Sequence, residues 1–402
     1  MQRRISKFLP GAALAGLLLA SSPAWLPSEP ASQAPLVPKA AAAAPVAEEP
    51  QNPLLEPNAT MVDEALLAKP LTADERTAMA AELGRLKTRH ASELVSVISA
   101  ANEEAALPIP PSLLLSIAYT ETHGKVLAVS GAGAAGLAQA TPAAYLLEGL
   151  DGPLHITNQY LIGTRAFIMK KPLGDAMNIA EWVAEGEVSH AEGLELLAQA
   201  KELRQVGMDE LEALVPRAPA VFAQRVQAAD EYNAETLATL EGLLEKRAGK
   251  ARLEAFHDRV RKEYKALMRV QQANWKRYAA SLEKERDRVL RAHFGEEPKE
   301  VILKRPYEAG EVLGQELDAR FSPTQMAKFL STHLTTKREQ AKALGVPEEE
   351  LEQWTAALYN GGLVNVTRMR AGLMTSIEET QNYMQKVPAL REQLDTVAMA
   401  SP

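Results

Sequence analysis

Apolar residues recur along most of this chain at steps of three and four, and no segment sustains a strict alternation of apolar and polar positions. That spacing puts one face of a helix in a core and predicts a mainly α fold. The clearest segment runs Pro-Ser-Leu-Leu-Leu-Ser-Ile-Ala-Tyr-Thr-Glu-Thr-His-Gly, from Pro111 to Gly124. Pro110 and Pro111 mark a helix start, because proline is tolerated only in the first turn, and Gly124 is the expected C-cap. Leu114, Ile117 and Glu121 then share one face. Upstream, Thr72-Ala73-Asp74-Glu75 has the spacing of a capping box and predicts a helix from there to about Ala105. Far downstream, Leu253, Phe256, Val260, Leu267, Trp275, Tyr278, Leu282 and Val289 form an apolar stripe with gaps. It predicts a helix over 251–292, roughly 60 Å long at 1.5 Å per residue. Residues 225–248, with Leu237, Leu240 and Leu244, are its expected partner in a hairpin.

Glu121 carries the first candidate chemistry. It leaves its helix from the apolar side and in the last turn, where the backbone dipole disfavours negative charge. Desolvation and the dipole both raise a carboxyl pKa, as a general acid near neutral pH requires. A helix-terminal Glu pointing into solvent is the alternative. Nine residues on, Ser130 opens Ser-Gly-Ala-Gly-Ala-Ala-Gly-Leu-Ala-Gln-Ala-Thr-Pro. Gly131, Gly133 and Gly136 permit positive φ or close approach of backbone to a ligand. Any flexible loop has such a composition, so the glycines matter only with Glu121 before them and Gln139 after.

Taken together, these segments resemble the soluble lytic transglycosylase family, lysozyme-like enzymes of peptidoglycan. Its first motif is a Glu-Ser pair ending a helix, here Glu121-Thr122. Its second is Ser-x-x-Gly-Ala-x-Gly-Leu-Met-Gln-x-x-Pro, with which Ser130, Gly133, Ala134, Gly136, Leu137, Gln139 and Pro142 fall in register. Thr122 keeps the hydroxyl of the usual Ser, whereas Ala138 replaces a Met that helps line the cleft. Ala357-Leu358-Tyr359-Asn360-Gly361 resembles the family's Ala-Tyr-Asn-Ala-Gly motif. Glu379-Thr380-Gln381-Asn382-Tyr383 resembles its Glu-Thr-Arg-x-Tyr motif, with Gln381 in place of Arg. An intervening Gly-x-x-Tyr-Leu helix fits either Ile162–Phe167 or Met326–Leu330.

The resemblance implies a lysozyme-like catalytic domain in two parts, 106–170 and 336–402, interrupted by a long, coiled-coil-like helical insertion over 171–335. A small β element of two short strands within 126–140 would suit such a fold. The activity implied is non-hydrolytic cleavage of the β-1,4 bond between N-acetylmuramic acid and N-acetylglucosamine, leaving 1,6-anhydro ends. Glu121 would serve as both acid and base. Ser130, Gly136, Gln139, Tyr359 and Asn360 would bind the glycan strand, with Thr122, Glu379 and Tyr383 in support. Hydrolytic glycosidases use two carboxylates about 5–10 Å apart, so Glu379 at such a distance would make a muramidase on the same scaffold. A non-catalytic wall-binding or assembly scaffold is the third reading.

Composition narrows the setting. The chain has 402 residues, 46% of them hydrophobic and only 5% aromatic, with a net charge of −8. Arg3, Arg4 and Lys7 precede an apolar run from Phe8 to Ala20, the pattern of an export signal over 1–24 with cleavage expected after Ala24, or at Ala34. An uncleaved anchor is the alternative. A Pro/Ala-rich linker, 25–60, and a helical segment, 61–105, follow. The absence of cysteine excludes disulfides and a lipid-modified cysteine. The expected location is the periplasm or the extracellular space. Residues 246–291 hold 15 Lys or Arg against 6 Asp or Glu. This basic arm is either a solvated face or a dock for an anionic or protein partner. The histidines show no metal spacing, and no phosphate loop or nucleic-acid motif is present, so the expectation is no metal, no cofactor and no nucleic acid.

Overall fold

The capping box at Thr72 forms: its hydroxyl accepts from the Glu75 amide and the Glu75 carboxylate accepts from the Thr72 amide. The helix it starts is α1 (Ala73–Arg85), and a second helix, α2 (Ala91–Glu103), follows, so the single helix expected to Ala105 is two. The break closes with Thr88 N–H bonded to Leu83 O and Lys87 N–H to Gly84 O, both at 2.9 Å. That is a Schellman turn whose left-handed position, usually glycine, is filled by Lys87 at φ 68°. Nothing in the local sequence advertises it. The computed structural model describes residues 70–104, 109–370 and 378–400. The expected export signal, the linker and residues 61–69 lie outside the described residues.

Helices dominate the rest. They are α3 (Pro111–Thr122), α4 (Pro142–Leu147), α5 (Asn158–Glu185), α6 (His190–Glu212) and α7 (Ala220–Glu245). After them come α8 (Lys250–Phe294), α9 (Pro298–Lys304), α10 (Pro306–Glu316), α11 (Pro323–Ala343), α12 (Leu351–Arg370) and α13 (Glu378–Met399). The mainly α class holds. Among the described residues the two expected strands reduce to isolated bridges, Val129 with Ala135 and Ala135 with Ala140. α12 bends at Gly362, whose φ of 70° and ψ of 159° leave the helical region. No helix among the described residues is long and apolar enough to cross a membrane.

The long helix is present as α8, 45 residues ended by Gly295 at φ 67°, but its main partner differs from expectation. It runs along α5, and α7 meets it only over a short stretch. The reason lies in two glycines of α5. A Cβ on Gly163 would stand 2.4 Å from Trp275 Cδ1, and one on Gly174 would stand 3.3 Å from Tyr264 Cε2. Aromatic rings of α8 therefore seat directly on the α5 backbone. Leu237, Leu240 and Leu244 of α7 do join Leu253, Phe256 and Val260 of α8, in a small core shared with α5 and α6. Farther along α8, Tyr278, Leu282, Val289 and Leu290 enter the larger core that holds α2 and α3. The aromatic residues of α8 are thus packed inward rather than displayed as a platform.

Candidate active site

Glu121 is positioned by a helix that is buried on every side from Pro111 to Ala118 and emerges only in its last turn. The C-cap is His123, at φ 54°, and Gly124 follows at φ 77°. Gly124 was the expected cap. His123 takes the left-handed position first because Gly124 is needed one residue later, where a Cβ would lie 2.7 Å from Thr88 Cγ2. Thr122 is buried, and its hydroxyl donates to Ala118 O at 3.2 Å and Leu137 O at 3.4 Å. The residue after Glu121 thereby fastens the helix end to the glycine-rich loop.

The loop is held from inside and outside. Ser130 Oγ accepts from the amides of Ala132 and Ala134, at 3.3 and 3.0 Å, which closes the turn. Gln139 has φ 47°, and its side-chain amide donates to Gly136 O at 2.9 Å. Gly136 is buried at φ +77°, and a Cβ there would fall 1.7 Å from Arg320 O. The close approach its glycine permits is therefore made by another segment of the same chain. Gly133 likewise abuts the Tyr278 ring. Met326, in one of the two stretches resembling the Gly-x-x-Tyr-Leu helix, also reaches Gly136, whereas Gly163, in the other, faces α8.

Arg320 is the residue that sequence reasoning missed. It is fully buried and donates to both carboxylate oxygens of buried Asp318, at 2.9 and 2.7 Å. It also donates to Gly133 O, Ala140 O and Tyr278 Oη, at 2.9, 3.0 and 2.7 Å. One guanidinium thus fixes both ends of the loop and a ring of α8. A buried charge pair is tolerated only when its remaining donors are satisfied, and here they are. A lone Asp-Ala-Arg has no sequence signal to announce this role.

The distant motifs converge on Glu121. Tyr383 of α13 is buried and its hydroxyl donates to Glu121 Oε1 at 2.9 Å. Tyr359 of α12 stacks on Tyr383, centroids 6.2 Å apart and planes 12° apart, and donates to Ala138 O at 2.6 Å. Ala138 is itself buried, so the side chain that stands where the resembling family has Met does not face an opening. Asn360 Oδ1 accepts from Thr380 Oγ1 at 3.0 Å. The Glu379 side chain lies outside the described residues. Burial first, and then the Glu121 charge, raise the hydroxyls of Tyr359 and Tyr383 well above the ordinary phenol value. Both stay protonated donors at any working pH.

Behind Tyr359 lies a second unanticipated pair. His333 of α11 presents its ring to the Tyr359 ring at 5.5 Å, edge on, and stacks on Phe329 at 4.8 Å. Its Nδ1 lies 2.5 Å from Glu148 Oε1, and Thr336 Oγ1 donates to Glu148 Oε2 at 3.1 Å. An open cleft between α3 and α13 is lined by Tyr119, Thr120, His123, Lys386 and Leu390, and neither Glu121 nor Tyr383 is part of its lining. Among the described residues no three His, Asp or Glu gather as a metal site. The arrangement offers one partly buried carboxylate and a phenol donating to it. Comparison with protein-family models, with curated proteins and with solved structures gives no match to this chain.

Proposed function

We propose that this chain is an exported lytic transglycosylase that cleaves the β-1,4 bond between N-acetylmuramic acid and N-acetylglucosamine. The observation that carries the reading is the contact of Glu121 with Tyr383, backed by the stacked ring of Tyr359. Three segments that resemble successive motifs of one family thereby meet at one carboxylate. In this reading 171–335 is an insertion into a lysozyme-like domain, and the basic arm 246–291 would dock on an anionic or protein partner.

Glu121 would protonate the glycosidic oxygen as the bond breaks and then take the proton of the sugar's own C6 hydroxyl, which closes the 1,6-anhydro ring. The second step is intramolecular, so proximity replaces an activated water and a second carboxylate. Tyr383, donating to Oε1, would hold the carboxyl so that Oε2 meets the substrate. It would also stabilise the carboxylate formed after the first proton transfer.

The test is mass spectrometry of soluble fragments released from purified peptidoglycan by the wild type and by Glu121→Gln. Anhydro-muropeptides from the wild type alone are expected. Reducing-end fragments would replace the lyase with a muramidase, and no fragments from the wild type would leave a binding scaffold.

A further inference from the structure

From Arg259 to Arg277 the middle of α8 holds seven Lys or Arg and a single acid, Glu263, in a chain whose net charge is −8. All seven cations are exposed, whereas Glu263 is half-buried. Among the described residues the Lys and Arg ion pairs of α8 lie outside this stretch: Lys250 with Glu254, Arg286 with Asp287, Arg288 with Glu285 and Arg291 with Glu297. At about 100° per residue, Lys262, Lys265, Arg269 and Lys276 fall within a sector of about 60°. That sector lies opposite buried Val260 and Tyr278, so the row points away from the core. It runs about 21 Å along the helix. Lys265 has like charge three or four positions away at Arg261, Lys262 and Arg269, a spacing that destabilises a helix by itself. The helix stands because its inner stripe is buried, and the outer charges repel one another until an anionic surface meets them.

The composition of this face narrows the partner. A protein interface needs an apolar or aromatic centre. Here the exposed residues between the cations are Ala266, Gln272 and Ala273, and Val270, 40% exposed, is the one large apolar side chain of α8 that reaches the surface. Tyr264 and Trp275 are half-buried and face α5, so no aromatic platform is offered to a strand of bases or sugars. A straight, convex row of long, mobile cations fits a flat sheet of anions that can gather beneath it, as acidic lipids do. We propose that the outer face of α8, centred on Lys262, Lys265, Arg269 and Lys276, lays this protein against an anionic lipid bilayer by electrostatic attraction, without entering the hydrocarbon. This names the partner of the basic arm and rests on that part of the proposed function alone, not on glycan cleavage.

The test is co-sedimentation of the full chain with phosphatidylcholine vesicles, pure or containing about 30 mol % phosphatidylglycerol. Adsorption to the anionic vesicles alone is expected at about 0.1 M salt, and its loss at about 0.5 M. Each cation at an anionic surface gives about a fivefold gain. The quadruple variant Lys262→Gln, Lys265→Gln, Arg269→Gln and Lys276→Gln should therefore bind at least about 50-fold more weakly. All four side chains are exposed, so the variant keeps the fold. A second variant removes the same charge elsewhere, from exposed Arg89, Lys125, Lys299 and Lys342, and should bind within about twofold of wild type. Equal adsorption to neutral vesicles, none to anionic ones, adsorption undiminished by salt, or equal loss in both variants would each overturn the assignment. So would tighter binding of soluble polyphosphate than of the vesicles, which would make the partner a linear polyanion. Release of glycan fragments is a separate readout, so either reading can fail while the other stands.

Discussion

Tyr383 and Glu121 stand 262 positions apart in sequence and 2.9 Å apart in space, phenol donating to carboxylate. Hydrogen bonds to a charged group contribute about 1.5–3 kcal/mol. If the bond persists as the glycosidic bond breaks, Tyr383→Phe should slow release of anhydro-muropeptides about 10- to 100-fold. The ring is retained, so its stacking with Tyr359 and the melting temperature should change little. Initial rates on purified peptidoglycan check this, and a variant as fast as wild type would remove Tyr383 from the reaction.

Arg320 supports the loop rather than the chemistry. Arg320→Met leaves the Asp318 carboxylate buried without its main partner, which costs about 3–5 kcal/mol. It also frees the carbonyls of Gly133 and Ala140. The double substitution Asp318→Leu with Arg320→Met should recover part of that loss, because no uncompensated charge remains. Urea unfolding of the three proteins measures both effects. A double variant no more stable than the single one would show that the carbonyl contacts, not the ion pair, dominate.

Local pattern made the Glu121 helix, the Thr72 cap and the length of α8 legible, because each is written in residues three or four apart. What depended on tertiary space was not. The break at Lys87 has no glycine to mark it. The pairing of α8 with α5 is decided by where Gly163 and Gly174 make room, and a stripe of apolar residues does not name its partner. Gly136 read as a place for a ligand, yet the atom that fills its free side is the carbonyl of Arg320. His333 and Glu148 were invisible for the same reason, since 185 positions separate them.

Two glycines test the helix packing directly. Gly163→Ala places a methyl 2.4 Å from the Trp275 ring. Overpacking of that kind should destabilise by about 1–3 kcal/mol. Gly242→Ala on α7 meets nothing within 4 Å. There the substitution should stabilise by about 0.5–1 kcal/mol, through helix propensity and a less flexible unfolded chain. Thermal melting of both variants should move in opposite directions. Destabilisation at both positions would mean that α7 lies closer to a neighbour than this packing allows.

The His333–Glu148 pair makes stability depend on pH with a definite sign. Burial first, and then Lys337, pull His333 down from 6.5 to about 4, against the opposing pull of Glu148. Burial raises the Glu148 carboxyl, but the hydrogen bond from His333, with the charge of Lys337 and the Thr336 hydroxyl, outweighs it and leaves it below its ordinary value. The folded pair is thus a neutral imidazole donating to a carboxylate. Between pH 6.5 and about 4 the unfolded chain binds the histidine proton and the folded chain does not. Stability from this group is therefore complete above pH 6.5 and falls as pH drops to about 4, by up to about 3 kcal/mol. Glu148 acts in the same direction at the lower end, because its folded value also lies below its unfolded one. His333→Gln removes the titrating ring, so the difference in unfolding free energy between wild type and variant should shrink steadily from pH 7 to pH 4. Urea titrations at unit pH steps give that difference, with every other titrating group common to both proteins. A difference that stays flat across the window would mean that His333 titrates alike in the folded and unfolded chains, and that Tyr359 rests on a ring the protein does not hold neutral.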